Sequence, residues 1–175
     1  MMPLTTARVA ASPTAVALRL NAMTGWIMWA LTSFFRELGV VAEGMETIAQ
    51  PLTLVDAPGA IRVLETSQAP AYYVAAEHVA TERLERTARR SMCEWKGQAR
   101  YWALADEPGQ VIAWDYPNPF PEFERLAGYL SFYPGRIECR VDGVRVQAQD
   151  GGFYGGWITP EIVGPFKGEP GTAGW

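Results

Sequence analysis

The chain has few of the residues that usually form metal and redox sites. Among its 175 residues there are two cysteines, Cys93 and Cys139, and one histidine, His78. A structural zinc site takes four Cys or His ligands, so these three side chains exclude a site of that kind. We therefore expect no metal and no other cofactor. We interpret the two cysteines as reduced thiols of a cytoplasmic protein.

Long apolar runs are also absent. The longest strongly apolar stretch covers residues 26–35, whereas a helix needs roughly 20 apolar residues to cross a bilayer. The formal net charge is −4 at pH 7, and a broad nucleic-acid-binding surface needs many cations to neutralise phosphates. We therefore predict a soluble, cytoplasmic protein that binds neither a membrane nor nucleic acid.

Lysine is scarce, and both lysines have the same neighbours. Arginine supplies 13 of the 15 basic residues, and the two lysines lie in Trp95-Lys96-Gly97 and Phe166-Lys167-Gly168. An ammonium beside a ring is held by a cation–π contact, and a glycine lets a ligand or a second backbone come close. This combination suits the phosphate or carboxylate of a small ligand. The alternative is a lysine stem packed on the neighbouring ring, with the glycine in a turn.

Short strands broken by glycine and proline dominate the rest of the pattern. Seventeen glycines and 13 prolines indicate many turns. Residues 1–22 are predicted to be disordered, and residues 25–38 to form a helix. Residues 77–90 are predicted to be partly helical, and residues 119–126 to form a short helix. Strands are predicted at residues 39–48, 51–55, 61–65, 72–74, 98–104, 110–115, 129–133, 136–141 and 144–148.

The chain divides into three parts. Residues 1–38 are an N-terminal extension with one helix, and residues 39–149 are a β-rich core domain. Residues 150–175 are an irregular tail that is rich in glycine and aromatic residues. Disordered segments seldom carry so many aromatic residues, so we expect the tail to pack on the core.

The clearest local signal is a hairpin around Asp142-Gly143. Ile137, Cys139 and Val141 alternate with polar residues, which predicts a strand with one apolar face. An Asp-Gly pair favours the two-residue primed turn that joins such strands. We therefore expect Cys139 to be buried on the apolar face.

Two charged residues near the start of the core are further candidates. Arg62 and Glu65 are three apart, so on a strand they face opposite sides and do not form a simple pair. Arg62 lies among apolar residues and could direct an anion-binding fork into a cleft. A surface ion pair is the alternative.

Two other stretches carry reactive groups. In Trp114-Asp115-Tyr116, the aspartate and the tyrosine could supply a base and a hydroxyl donor, although an aspartate before a turn is ordinarily a turn former. Cys93 lies three residues before Lys96, and a nearby cation favours a nucleophilic thiolate.

Six short blocks between residues 58 and 148 carry a joint pattern, namely residues 62–66 (RVLET), 70–73 (PAYY), 93–97 (CEWKG), 101–102 (YW), 113–117 (AWDYP) and 128–134 (GYLSFYP). Together they resemble the family known as domain of unknown function four-twenty-seven, which is sometimes labelled nucleotidyltransferase-like. The resemblance covers about residues 58 to 148 and implies a compact, mainly β fold of the β-tent (Mss-four-like) kind without the zinc usual in that group.

These observations favour a domain that binds a small anionic ligand and leave open whether it is an enzyme. One alternative is a non-enzymatic module for interaction or self-association as a homo-oligomer. Another is a thiol-dependent enzyme that uses Cys93. The predicted ligand-binding residues are Arg62, Glu65, Tyr73, Lys96, Tyr101, Trp102, Trp114, Tyr116 and Lys167.

Overall fold

The computed structural model describes residues 8–12, 16–20 and 52–172. The expected helix at residues 25–38 and the expected strand at residues 39–48 lie outside the described residues, as does Trp175 at the end of the tail. No helix in the described part of the chain is long and apolar enough to cross a membrane.

Strands make up most of the described chain, which confirms the mainly β prediction. The assignment to the β-tent kind stays a prediction. Three short 3₁₀ helices lie at Ala76–His78, Thr81–Arg83 and Pro121–Leu126. The strands are β1 (Arg8–Ser12), β2 (Val16–Leu20), β3 (Leu52–Ala57), β4 (Ala60–Leu64), β5 (Ala71–Ala75), β6 (Leu84–Cys93), β7 (Gly97–Leu104), β8 (Glu107–Asp115), β9 (Tyr129–Phe132), β10 (Glu138–Val141), β11 (Val144–Arg145), β12 (Gln147–Ala148) and β13 (Trp157–Ile158).

The strands form one large antiparallel sheet and two small sheets. The large sheet has the order β1-β4-β5-β9-β8-β7-β6, so six of its strands come from the core and β1 is added at one edge. A four-stranded sheet has the order β11-β10-β2-β3, and β12 pairs with β13. Strand β6 lies at the other edge of the large sheet and, within the described residues, pairs with β7 alone.

Both faces of the large sheet are apolar. Along β5, Tyr72 and Val74 join one buried cluster, while Ala71 and Tyr73 join a second cluster. This alternation follows from the two-residue period of a strand. The first cluster includes residues of the four-stranded sheet, such as Cys139. The second cluster includes Phe123 and Leu126 of the last 3₁₀ helix.

The hairpin around Asp142-Gly143 is confirmed. Strands β10 and β11 pair with Val141 opposite Val144, and Asp142 and Gly143 have positive φ angles of 49° and 79°. A primed turn requires positive φ at both central residues. Cys139 is 1% exposed, as expected for a residue on the apolar face.

Two local predictions are wrong. The segment 77–90, predicted to be partly helical, has 3₁₀ turns only up to Arg83, and residues 84–90 belong to the edge strand β6. The mixture of Arg and Glu that resembles a solvated helix face equally protects an exposed strand edge. Two stretches of residues 1–22 are strands and not disordered, since β1 pairs with β4 and β2 pairs with β3 and β10. Five-residue strands of this kind depend on the strands that they meet, which local composition does not show.

The tail enters the core through Trp157. Its side chain is 0% exposed, its ring stacks on Tyr72 with centroids 5.0 Å apart, and its Nε1–H donates to the carbonyl of Phe132 at 2.9 Å. Its backbone N–H donates to the carbonyl of Pro70 at 2.8 Å. Burial of this indole connects the irregular tail to the face of the large sheet opposite Tyr73.

We predict that Trp157→Ala destabilises the protein by about 3–5 kcal/mol, because it removes a fully buried aromatic ring and leaves a cavity. Urea unfolding followed by circular dichroism measures the change. Val163→Ala is the control, since Val163 in the same tail is 85% exposed and should change stability by less than about 0.5 kcal/mol. Equal stability of the two variants would show that the tail is not part of the cooperative fold.

Candidate functional site

A cavity of about 780 Å³ opens on the second apolar face of the large sheet. Eight of the side chains that line it are aromatic, and both lysines of the chain are among the others. The lining residues are Glu65, Thr66, Gln68, Ala71, Tyr73, Ser91, Met92, Cys93, Glu94, Trp95, Lys96, Tyr101, Trp114, Tyr116, Tyr133, Phe153, Tyr154 and Lys167.

Strand register brings the aromatic residues together. Tyr101 on β7 lies opposite Trp114 on β8, and Trp114 and Tyr73 both lie opposite Ser131 on β9. Directly opposed residues of antiparallel strands share a face. Three side chains that are distant in sequence are therefore placed on the cavity face by backbone pairing alone.

Lys96 forms a buried ion pair with Glu65. Lys96 lies in the turn between β6 and β7 and is 4% exposed. Its Nζ is 2.6 Å from Oε2 of Glu65, the residue that follows β4. In the sheet order, four strand spacings separate β4 from β7, or about 19 Å in a flat sheet. Two side chains cannot bridge that distance. The large sheet therefore curves, so that the part with β4 and the part with β7 face each other across the cavity.

Aromatic rings and a glycine turn hold the Lys96 ammonium. Its Nζ lies 5.7 Å from the ring centre of Phe123 and 6.0 Å from that of Tyr116. Its sequence neighbour Trp95 also lines the cavity and is 48% exposed. The following Gly97 has a φ of +96°, and a Cβ there would lie 3.3 Å from the carbonyl oxygen of Asn118. The glycine therefore permits the turn and the close approach of a second backbone segment.

Lys167 reaches the same cavity from the tail. Its backbone N–H donates to the carbonyl of Ser67 at 2.8 Å, and its carbonyl accepts a hydrogen bond from Nε2 of Gln149 at 2.8 Å. Gln149 also accepts the backbone N–H of Ala69 at 2.9 Å. These bonds place Lys167 beside the chain that follows Glu65. Within residues 52–172, no carboxylate forms an ion pair with its ammonium.

Four rings form a row along the cavity. The centroid distances are 6.4 Å from Tyr116 to Tyr73, 6.1 Å from Tyr73 to Trp114 and 4.5 Å from Trp114 to Tyr133. The indole N–H of Trp114 donates to the hydroxyl of Tyr73 at 3.2 Å. The row therefore runs from the Lys96 end of the cavity to Tyr133.

Burial makes the tyrosines of this row very weak acids. Desolvation raises the pKa of Tyr73 and of Tyr116 well above the ordinary value, and it raises the pKa of Tyr133 to about 12. Hence these phenols are neutral at physiological pH. A neutral phenol can donate a hydrogen bond to an acceptor on a ligand.

Two predicted ligand-binding residues and one predicted base lie on the other face of the sheet. Arg62 is paired in register with Tyr72, and its Nε has no hydrogen-bond partner among the described residues. Asp115 accepts bonds from Trp102 at 3.2 Å and from Nε of Arg100 at 3.1 Å. The structure therefore does not bring Arg62 or Trp102 to Lys96. Asp115 serves as the partner of Arg100, because strand alternation turns it away from Trp114.

Cys93 lines the cavity close to Lys96, and both cysteines are free thiols. His78, the one histidine of the chain, lies on the 3₁₀ helix Ala76–His78 and does not line the cavity. In the part of the chain that the structure describes, no three His, Cys, Asp or Glu side chains are grouped so that they could hold a metal ion.

Several residues that line the cavity are not among the nine predicted ligand-binding residues. Tyr133 belongs to a block that resembles the family, and it alternates with Phe132, which faces the other cluster. That alternation could have indicated that Tyr133 lies on the face of the sheet that carries the cavity. Phe153 and Tyr154 lie in an irregular segment without periodicity, so no sequence pattern could place them. Gly155 follows with a φ of +65°, and a Cβ there would overlap the Trp114 ring.

Residues 40–147 match the family model described as Domain of unknown function (DUF427), whose model name carries a nucleotidyltransferase label. The match covers more than half of the chain. The chain belongs to this family. This confirms the resemblance carried by the sequence blocks, and the cavity residues of the DUF427 domain from Glu65 to Tyr133 all lie inside the matched range.

A second comparison is confined to a short segment. Over 50 residues, the chain is 46% identical to an uncharacterized ABC transporter ATP-binding protein of Haemophilus influenzae. The segment is 29% of this chain and 8% of the relative. The DUF427 chain thus spans a small part of the length of that relative.

We predict that Lys96 and Glu65 are strongly coupled in stability. Lys96→Met and Glu65→Gln should each cost about 3 kcal/mol, because each leaves a buried charge without its partner. The double variant should lose clearly less than the sum of the two. Urea unfolding of all four proteins gives the coupling energy.

The exposed pair Arg83–Asp106 is the matched control. Its Nη2 and Oδ2 are 3.3 Å apart, and its side chains are 44% and 50% exposed. The same cycle with Arg83→Met and Asp106→Asn should give a coupling below about 1 kcal/mol. Additive effects at Lys96 and Glu65 would contradict the buried ion pair.

We predict that stability falls at alkaline pH. An unfolded tyrosine loses its proton near about pH 10, whereas the folded protein keeps the proton of Tyr133 to about pH 12 and those of Tyr73 and Tyr116 higher still. The stabilising contribution is complete below about pH 10 and is lost as the pH rises through the folded-state pKa. Urea unfolding between about pH 9 and pH 12 should show the decline, and Tyr73→Phe should make it shallower. Phenolate absorbance showing that all seven tyrosines ionise together in folded protein would contradict this.

Proposed function

We propose that this domain binds a small anionic organic molecule in the cavity. The observation that carries the proposal is that both lysines of the chain line one cavity whose other walls are largely aromatic. Ligand sites commonly combine aromatic walls with a few polar groups of this kind. A volume of about 780 Å³ suits a metabolite of moderate size.

The two lysines have different roles in this proposal. The charge of Lys96 is already neutralised by Glu65 at 2.6 Å. Lys96 therefore offers a ligand the polar groups of a buried ion pair but little net positive charge. Lys167 is half-buried and has no ion-pair partner within residues 52–172. Its ammonium is therefore the group that is free to bind a carboxylate or a phosphate.

The body of the ligand would contact the rings. Tyr73, Tyr116 and Tyr133 are neutral and present hydroxyl groups, while Trp95 and Phe153 are 48% and 59% exposed. Exposed aromatic side chains at the rim of a cavity suit stacking against a flat ligand. A carboxylic or phosphoric acid with an aromatic ring would contact both the tyrosine hydroxyl groups and the exposed rings.

The alternative functions, a thiol-dependent enzyme and a self-association module, have less support. Cys93 and Lys96 both line the cavity, but no imidazole lines it to take the proton of the thiol. The carboxylates that line it are Glu65, which pairs with Lys96, and Glu94. The chain contains no Gly-Lys dipeptide, so it lacks the phosphate loop that an ATP-binding relative would suggest. Self-association through the predicted N-terminal helix concerns residues outside the described ranges.

We predict that an anionic ligand raises the melting temperature and that Lys167→Gln weakens the effect. A thermal-shift screen of nucleotides, sugar phosphates and aromatic carboxylates identifies the ligand, because only the folded state binds it. Loss of one charge-assisted hydrogen bond should reduce affinity roughly tenfold. The bound ligand should also slow alkylation of Cys93 by iodoacetamide.

Arg145→Gln is the matched control, since it removes one positive charge from an exposed residue that does not line this cavity. It should leave the thermal shift unchanged. A ligand whose affinity is the same in Lys167→Gln, or one that leaves Cys93 alkylation unaffected, binds elsewhere and would overturn the proposal.

A further inference from the structure

The end of the cavity that lies opposite Lys96 has its own polar groups. The row of rings ends at Tyr133, and Tyr101 lines the same end of the cavity. The hydroxyl of Tyr101 is 2.6 Å from Oγ of Ser91. An interaction with Tyr101 also contributes to the raised pKa of Tyr133, after desolvation. Three hydroxyl groups are thus collected at this end.

Two arginines flank these tyrosines. The guanidinium carbon of Arg89 lies 4.6 Å from the ring centre of Tyr101, and that of Arg136 lies 5.8 Å from the ring centre of Tyr133. Arg89 comes from the edge strand β6, and Arg136 from the segment between β9 and β10. Both charges oppose the effect of burial on the pKa of Tyr133. Neither arginine lines the cavity itself, and Arg136 lines a neighbouring pocket, so the two guanidinium groups lie beside the rings of Tyr101 and Tyr133 and outside the cavity wall.

Neither arginine has a carboxylate partner among residues 52–172. Three other arginines of this part of the chain do, since Arg83, Arg100 and Arg140 pair with acidic side chains. Arg136 donates one bond, from Nη1 to the carbonyl of Val111 at 3.3 Å. Both side chains are exposed and retain N–H donors that no carboxylate of residues 52–172 occupies in an ion pair. A guanidinium fork of this kind binds carboxylate or phosphate oxygens in pairs.

We infer that Arg89 and Arg136 bind a second anionic group and that the ligand is an extended dianion. One acidic group lies at the Lys167 and Lys96 end, the other lies between the two guanidinium groups, and a flat unsaturated body lies along the ring row. The inference rests on the proposed function and adds the charge and shape of the ligand. The second group is an oxyanion, either a carboxylate or a phosphate.

Aromatic dicarboxylates of increasing length test the inference. Terephthalate, biphenyl-4,4′-dicarboxylate and terphenyl-4,4″-dicarboxylate are each compared with the corresponding monocarboxylate by calorimetry. In the wild-type protein, the dianion of suitable length should bind roughly tenfold more tightly than its monoanion. Replacing one carboxylate by a phosphate ester in that compound shows which oxyanion the arginines prefer.

The variant Arg89→Gln/Arg136→Gln should abolish the advantage of the dianion and leave the affinity for the monoanion unchanged. The control Arg86→Gln/Arg125→Gln removes the same charge from two exposed residues that line neither this cavity nor the pocket beside Arg136, and it should keep the advantage. Lys167→Gln should lower the affinity for both the dianion and the monoanion. Thermal unfolding of each variant checks that the fold is intact.

Two outcomes overturn the inference, and they are distinguishable from failure of the proposed function. If the monoanion binds in a Lys167-dependent manner but no dianion gains affinity, only the second subsite is wrong. The same holds if the gain persists in Arg89→Gln/Arg136→Gln. If no carboxylate or phosphate compound binds the wild-type protein, the proposed function fails and the inference fails with it.

Discussion

The ion pair between Lys96 and Glu65 is the contact on which the geometry of the cavity depends. It joins the turn after β6 to the end of β4 with an N–O distance of 2.6 Å, although three strands lie between β4 and β7 in the sheet. The sheet must therefore curve around a space, and that space is the cavity. Since both charges are largely removed from water, the pair is stable only while each partner has the other.

The remainder of the site follows from this curvature. A curved sheet directs one face of β5, β7 and β8 inward, which brings Tyr73, Tyr101 and Trp114 into one wall. The tail then covers part of that wall, since Gly155 lies against Trp114 where a larger residue would overlap the ring. Trp157 on the opposite face of the sheet secures this arrangement, because its indole is completely buried.

Prediction from sequence worked where neighbouring residues decide the structure. The hairpin at Asp142-Gly143 and the burial of Cys139 follow from a two-residue turn and from strand alternation, which are both local. The prediction for residues 84–90 was wrong, because a mixture of Arg and Glu fits a solvated helix and an edge strand equally well. The choice between them depends on β7, against which this segment pairs.

The amino-acid sequence by itself determined the mainly β character and the family. Of the nine residues that it predicted to bind a ligand, seven line the cavity, and their role in binding stays a prediction. The sequence also singled out Lys96 and Lys167 as a pair. Only the tertiary structure decided that Glu65 is the ion-pair partner of Lys96, and that Arg62 and Trp102 lie on the far face. The physical reason is that strand order and sheet curvature are set by long-range pairing, which no short stretch of residues specifies.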